Sequence, residues 1–271
     1  MPVPLPRITG LLATAALAAA LALPMAGCKT TGSDDITGSI GAPSEPRSDA
    51  EWRRAADYWG PRYEANTADA EAAIRYAQAL RATGRKAQAA AVLEQASIKN
   101  PHNRVLLGEF GRALADVGKL QQALDVLGRA HTPDQPDWRI LNAQGAVLDQ
   151  LGRAPEARRH YAAALKIKPN DPSVLSNLGL SYALTKDLRR AESTLRQAAM
   201  QPGAEPRVRQ NLALVVALQG RFDEAEQIVR ADLPPAEAAA AVDELKQMIE
   251  QRGGVQRTGQ PASGKRTRSR G

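Results

Sequence analysis

Small and large apolar residues recur every 34 residues through the middle of the chain. Counting Ala70 as position 1, successive frames start at residues 70, 104, 138, 172 and 206, with no insertion between them. Position 8 is always small, position 20 is always alanine, and positions 11 and 24 are large and mostly aliphatic. Small residues at positions 8 and 20 let two helix backbones approach closely, while the large residues fill the space between successive helix pairs. The pattern therefore predicts five stacked helix pairs.

Position 15 predicts where the first helix of each pair ends. It is glycine in four frames, Gly84, Gly118, Gly152 and Gly220, and glycine readily adopts the left-handed conformation that ends a helix. Lys186 replaces this glycine in the fourth frame, and Gln144 replaces the apolar residue at position 7 of the third. The third and fourth frames are therefore expected to be locally weaker than the others.

An aromatic segment precedes the first frame. Residues 50–69 fit the second half of a repeat, and Trp52, Trp59 and Tyr63 share one helical face. This face is either an exposed aromatic patch for a partner or an end-cap packed on the first repeat, and we favour the end-cap. Pro61 is expected to kink or split the helix.

A final amphipathic helix and a basic tail follow the last frame. Residues 236–251 carry an apolar stripe on one side, as the closing helix of a repeat array requires. Residues 252–271 hold six basic residues and no acid among Gly, Ser and Pro, which is typical of a disordered tail. Two hypotheses remain open for this tail: a solvated end without function, or docking on anionic lipid or wall polymer.

The 34-residue pattern resembles the tetratricopeptide repeat (TPR), a helix–turn–helix unit of this length. The resemblance implies an all-α fold, a right-handed superhelical solenoid of TPR units with N- and C-terminal capping helices. Five units are then expected within residues 70–235, namely 70–103, 104–137, 138–171, 172–205 and 206–235.

Composition argues against an enzyme. The chain has one Cys and three His without metal-ligand spacing, and no nucleophile–base constellation surrounds them, so we predict no catalytic, cofactor or metal site and no small-molecule substrate. The net charge of +7 lies at the two ends, while residues 28–251 are neutral overall. A folded nucleic-acid binder should carry its charge on a face of the fold, so nucleic acid is not an expected partner.

The N-terminus predicts membrane attachment. Residues 1–27 combine Arg7, a short apolar run and a small-residue segment before Cys28, which resembles a bacterial lipobox. An ordinary signal peptide with an incidental cysteine is the alternative. We expect Cys28 to be lipidated and residues 28–49 to form a disordered tether. Lys29 follows the cysteine where the lipoprotein family places an Asp for inner-membrane retention, so the outer membrane, facing the periplasm, is the expected location.

The first helices of the repeats offer candidate residues for partner binding, because positions 2, 5, 6, 9, 12 and 13 line the concave side of a TPR superhelix. In the first two repeats these positions form a charged rim of Glu71, Arg75, Gln78, Arg81, Arg112 and Asp116. In the later repeats they are amide-rich, and Asn177 and Asn211 share position 6. An amide can serve both a carbonyl and an N–H of an extended peptide. The predicted groove comprises Asn142, Asp149, Ser176, Asn177, Arg207, Gln210 and Asn211.

Several stretches resemble the TadD-like TPR lipoproteins of Flp (tight-adherence) pilus systems. They are residues 58–60, 75–81 and 211–216, together with residues 219–225 leading into 232–235. The resemblance implies a pilotin-like scaffold that helps the outer-membrane secretin of the pilus to localise or assemble. A TPR lipoprotein adaptor that regulates a peptidoglycan enzyme, or one that assists outer-membrane protein assembly, is the alternative.

Overall fold

The computed structural model describes residues 48–258, with side chains up to residue 251. Regular secondary structure in this range is entirely helical, apart from one isolated bridge between Thr132 and Gln135. Contacts divide the chain into two compact units, and the division falls inside α7 (Ala154–Ile167), after residue 157. Within the described residues no helix is apolar over a stretch that would cross a bilayer.

Six complete helices form the N-terminal unit. They are α1 Asp49–Ala65, α2 Ala70–Ala82, α3 Lys86–Lys99, α4 Arg104–Asp116, α5 Leu120–Arg129 and α6 Trp138–Gln150. Each helix packs on the next along the chain, and α4 also contacts α2 and α6. The first helices of three successive repeats therefore lie side by side. The core between the helices includes the buried leucines Leu80, Leu93, Leu106, Leu114 and Leu127.

Five helices follow α7 in the C-terminal unit. They are α8 Pro172–Leu184, α9 Leu188–Ala199, α10 Pro206–Leu218, α11 Phe222–Val229 and α12 Pro235–Thr258. The central helix α10 packs on each of the other four. Ala238 and Val242 of α12 are buried against the core of this unit. The helix continues to Thr258, beyond residue 251, which is the end predicted from the sequence.

Side-chain caps fix where the first helices begin. These helices start at residues 70, 104, 138, 172 and 206, which reproduces the 34-residue interval. The residue before each of the first four, at position 34, is an Asp or Asn whose side chain accepts hydrogen bonds from the first turn: Asp69, Asn103, Asp137 and Asp171. Each cap satisfies backbone N–H groups that have no partner inside the helix. Glu205 makes no such bond in the fifth repeat.

The ends of the first helices agree with the glycine pattern. Gly84, Gly118, Gly152 and Gly220 have φ between 75° and 81°. Lys186 adopts the same left-handed conformation with φ 63°, although its Cβ disfavours it. The fourth helix pair therefore keeps the common geometry at the cost of local backbone strain.

Glycine at position 8 permits the close approach within a helix pair. A Cβ at Gly111 would lie 2.5 Å from Cγ of Leu127, and one at Gly179 would lie 2.6 Å from Cγ of Leu195. Each leucine occupies position 24 of the repeat that contains its glycine. The small residue thus makes room for the large one across the pair.

Pro61 does not split the first helix, which was one of the two effects expected of it. The helix α1 is continuous from Asp49 to Ala65. The carbonyl that loses its helical partner belongs to Asp57, an exposed residue that water can reach. The side chain of Arg62 also donates a hydrogen bond to the carbonyl of Tyr58 at 2.9 Å.

Candidate functional site

The predicted groove residues are divided between the two compact units. Asn142 and Asp149 belong to α6 of the N-terminal unit, and the other five residues belong to the C-terminal unit. Ser176 is only 4% exposed, and its Oγ accepts a hydrogen bond of 3.0 Å from Nδ2 of Asn211. This bond joins α8 to α10. Ser176 therefore contributes to helix packing, and its burial keeps it out of reach of a ligand.

The remaining predicted residues of the C-terminal unit differ in exposure. Asn177 and Gln210 are half-buried, whereas Arg207 is exposed and its Nε lies 2.8 Å from Oε2 of Glu205. Both side chains of that ion pair are largely exposed to solvent, so the pair holds Arg207 only weakly. Binding by Asn177 and Asn211 stays a prediction, with the Asn211 amide already engaged by Ser176.

The aromatic residues of α1 pack on the N-terminal unit. Tyr63 is 6% exposed, and its hydroxyl donates to Oε1 of Gln95 at 3.0 Å. Burial raises the pKa of this hydroxyl. Trp52 and Trp59 are partly buried against the same core. Tyr63 is therefore a core residue, and the contacts of all three agree with the end-cap interpretation.

Cys28 and residues 259–271 of the basic tail lie outside the described residues, as do residues 1–47. Lipidation, the tether and a role for the tail stay predictions. Within residues 48–258, no cluster of three or more His, Cys, Asp or Glu could hold a metal ion.

An open cleft of about 590 Å³ lies between the first halves of α4 and α6 in the N-terminal unit. We call it the α4–α6 cleft. The α5–α6 connection closes one side of it. Its lining comprises Arg104, Val105, Glu109, Arg112, Ala130, Gln135, Pro136, Asp137, Trp138, Arg139 and Ile140.

The shape of this cleft follows from the second helix of its repeat, which is shorter than the second helices of the repeats before and after it. The helix α5 has 10 residues, whereas α3 and α7 have 14 each. The chain leaves the helix early and crosses to α6 through residues 130–137, where Thr132 and Gln135 form the isolated bridge. Pro133 and Pro136 in this connection cannot donate backbone hydrogen bonds and prevent the helix from continuing. The connection thus stands beside the first turns of α4 and α6.

Two arginines of the cleft lack an acidic partner in the described part of the chain. Arg104 donates from Nη1 to Oε1 of Gln135, a neutral amide, at 2.7 Å. The guanidinium of Arg139 lies 4.6 Å from the ring centroid of Trp138. Both arginines are exposed. Each therefore presents a full positive charge to the cleft.

The third arginine of the cleft is already neutralised. Nη2 of Arg112 lies 2.8 Å from Oε1 of Glu109, and Nη1 of Arg81 lies 3.4 Å from Oε2 of the same carboxylate. Arg81 in turn pairs with Asp116 at 2.6 Å. The charged rim predicted for the first two repeats is thus partly a network of ion pairs between α2 and α4.

Apolar surface accompanies the two free charges. Val105 is 67% exposed at position 2 of its repeat, and Trp138 is half-exposed at position 1 of the next. The lining residues include no Ser, Thr, Cys, His, Lys or Tyr, so they form no nucleophile–base pair. The cleft offers cation, aromatic face and aliphatic side chain together.

Most of the cleft lining was not predicted from the sequence, including Arg104, Val105, Trp138 and Arg139. Val105 and Arg139 occupy position 2, one of the positions predicted to be available to a ligand, but neither was among the predicted groove residues. The early Pro133 was the available signal, because it lies two residues ahead of the place that Pro101 and Pro169 occupy in their repeats, and an early proline predicts a shortened helix and an altered connection.

Comparisons with known proteins identify the fold. A TPR repeat family matches residues 145–185, and the family of anaphase-promoting complex (cyclosome) subunit 3 matches residues 52–130. No curated protein is significantly similar in sequence.

Three solved structures share this helical arrangement. One is the APC/C hetero-tetramer Cut9–Hcn1, with TM-score 0.60, 15% identity and 76% of this chain covered; the match spans only 40% of that chain. A second is a thermophilic TPR protein of Thermus thermophilus, with TM-score 0.57 and 23% identity; the match covers 67% of this chain and 97% of that chain. The third is PilW, a widely conserved type IV pilus biogenesis factor, with TM-score 0.59 and 15% identity; the match covers 71% of this chain and 91% of that chain.

These likenesses confirm the predicted all-α fold built from TPR helix pairs. The fold is typically a non-catalytic scaffold whose repeats present surfaces to other proteins.

Proposed function

We propose that this protein is an adaptor that binds a partner protein through the α4–α6 cleft. The observation that carries the proposal is the pair of unneutralised arginines, Arg104 and Arg139, beside exposed apolar surface on a repeat fold. Exposed patches that combine arginine, an aromatic ring and an aliphatic side chain are typical of protein interfaces.

We further propose that the adaptor works at the bacterial outer membrane, facing the periplasm, as a pilotin-like factor for the secretin of an Flp pilus. The support is the lipobox at Cys28 and the resemblance to TadD-like lipoproteins. The likeness to PilW concerns the fold alone, and it makes the fold compatible with work in a pilus system.

Co-purification from detergent-solubilised membranes tests this proposal. A tagged full chain should retain the secretin or another pilus component, whereas recovery of a peptidoglycan enzyme would support the alternative. The matched control is Cys28→Ser, which removes the acyl chains that make membrane attachment stable. This variant should leave the outer-membrane fraction. A Cys28→Ser chain that still fractionates with the outer membrane would contradict lipid anchoring.

A further inference from the structure

We infer that the α4–α6 cleft binds an extended acidic segment of the partner that carries a large apolar side chain. This inference rests on the proposed adaptor function and adds the chemistry of the partner. Three properties of the cleft carry it: its free cations, its apolar surface and its size.

The charges of the cleft favour an acidic ligand because its lining carries three arginines and only two acids. Glu109 is bound by Arg81 and Arg112. Oδ1 of Asp137 accepts a hydrogen bond of 2.7 Å from the backbone N–H of Arg139 and caps α6. Arg104 and Arg139 are left to meet a ligand. A guanidinium binds a carboxylate with two parallel hydrogen bonds, which an ammonium group cannot reproduce.

The apolar surface calls for a ligand with one large apolar side chain among its acids. Val105 is largely exposed, and Trp138 has one ring face covered by the Arg139 guanidinium. Ile140 extends to the base of the cleft, where Gly108 has no Cβ; a Cβ there would lie 2.6 Å from Cδ1 of Ile140. A Leu or Phe of the ligand would bury the exposed surface of Val105 and of the half-exposed Trp138 ring.

The size of the cleft suits a few residues of extended chain. A volume of about 590 Å³ is in the range of ligand pockets and too small for a folded domain. A short segment that enters the cleft would pass between the first turns of α4 and α6. The partner therefore contributes a linear segment at this point.

Fluorescence anisotropy with three labelled peptides tests the inference on the full chain in detergent. The probe is a ten-residue peptide with two central leucines flanked by aspartates and glutamates. The second peptide replaces every acid by its amide, and the third replaces the leucines by serines. The acidic–apolar probe should bind most tightly, and its affinity should fall as salt is raised, because added ions screen exposed charges.

Paired variants locate the binding. Combining Arg104→Gln with Arg139→Gln should lower the affinity for the probe by about tenfold or more, because two charge-assisted contacts are lost. The matched control is Lys86→Gln with Lys119→Gln, which removes the same charge from exposed residues of the same unit outside the cleft. This control should bind the probe within about twofold of the unmodified chain.

The outcomes separate this inference from the proposed function. Equal binding of the acidic and amide peptides, or equal loss in both double variants, would overturn the acidic chemistry while leaving an adaptor role intact. Two other occupants would also overturn it. Probe binding that appears only after removal of residues 29–47 would place this chain's own Asp34, Asp35 and Ile36 in the cleft. Self-association abolished by the arginine variants would place a second copy there.

Discussion

Replacing Gln144 by leucine should stabilise the protein. Gln144 occupies position 7 of the third repeat, where the other repeats carry Tyr76, Phe110, Leu178 and Leu212. It is 7% exposed, and its buried Oε1 has no hydrogen-bond partner among the described residues. Burying a carbonyl oxygen without a partner costs free energy because the oxygen gives up its hydrogen bonds with water.

The expected gain follows from this desolvation. An unsatisfied buried polar group costs about 1–3 kcal/mol, and leucine restores an apolar contact of similar volume, so Gln144→Leu should raise the free energy of unfolding by about 1–2 kcal/mol. For a chain of this size that corresponds to a rise in melting temperature of about 2–8 °C.

Urea denaturation and calorimetry measure the effect, and hydrogen exchange should show added protection concentrated in α6 and its neighbours. The matched control is Leu212→Gln, which places the same amide at position 7 of the fifth repeat, where Leu212 is 4% exposed. That variant should lose at least about 2 kcal/mol. A neutral or destabilising Gln144→Leu would refute the reasoning, because the amide would then be making a favourable interaction.

Three further predictions concern the C-terminal unit. Lys186→Gly should raise the free energy of unfolding by about 0.5–1 kcal/mol, because glycine adopts the left-handed φ of 63° without strain. Thermal denaturation measures this gain, and an unchanged melting temperature would contradict the strain. Nε of Arg209 lies 2.6 Å from Oδ2 of Asp232. Arg209→Leu should therefore lower the free energy of unfolding more when it is made alone than when it is combined with Asp232→Ala, because the single variant leaves a carboxylate that is only 12% exposed without a partner. Equal costs would show that the pair is not coupled. Between pH 6 and about pH 3, the unmodified chain should lose about 2 kcal/mol more stability than Glu192→Gln, which urea titration at both pH values would measure.

The pH prediction follows from the environment of Glu192. Burial opposes its ionisation, but hydrogen bonds from Gln219, Arg196 and Arg221 outweigh burial and lower its pKa to about 2. Since the folded-state pKa lies below the unfolded value, the stabilisation is present above about pH 4.5 and is lost as pH falls toward 2. Equal acid sensitivity in both chains would show that another group governs the response.

Local chemistry explains why much of the fold could be predicted. Helix ends at Gly84 and its equivalents depend on a backbone preference that one residue encodes. The pairing of Gly111 with Leu127 depends on side-chain size at a fixed spacing. Both kinds of information lie within a single 34-residue frame, so the frame predicted the arrangement of helices in each pair.

Interactions between residues that depart from the repeat pattern were harder to predict from the sequence. Arg209 and Asp232 occupy positions 4 and 27 of the fifth repeat, where the other four repeats carry apolar residues, and the two side chains pair with each other. The cleft likewise depends on where α5 ends and how residues 130–137 cross to α6. Such features arise from tertiary contacts and connection geometry, which periodicity does not specify.

Site-specific photo-crosslinking in living cells tests the central claim, that a partner protein docks in the α4–α6 cleft. A photoreactive residue at Val105, which is 67% exposed in the cleft, is compared with one at Ile98, which is 75% exposed on α3 and does not line it. We expect Val105 to give one discrete adduct with a pilus component, which disappears when Arg104→Gln and Arg139→Gln are added, and Ile98 to give no such adduct. The same adduct from Ile98, or no adduct from Val105, would contradict the claim.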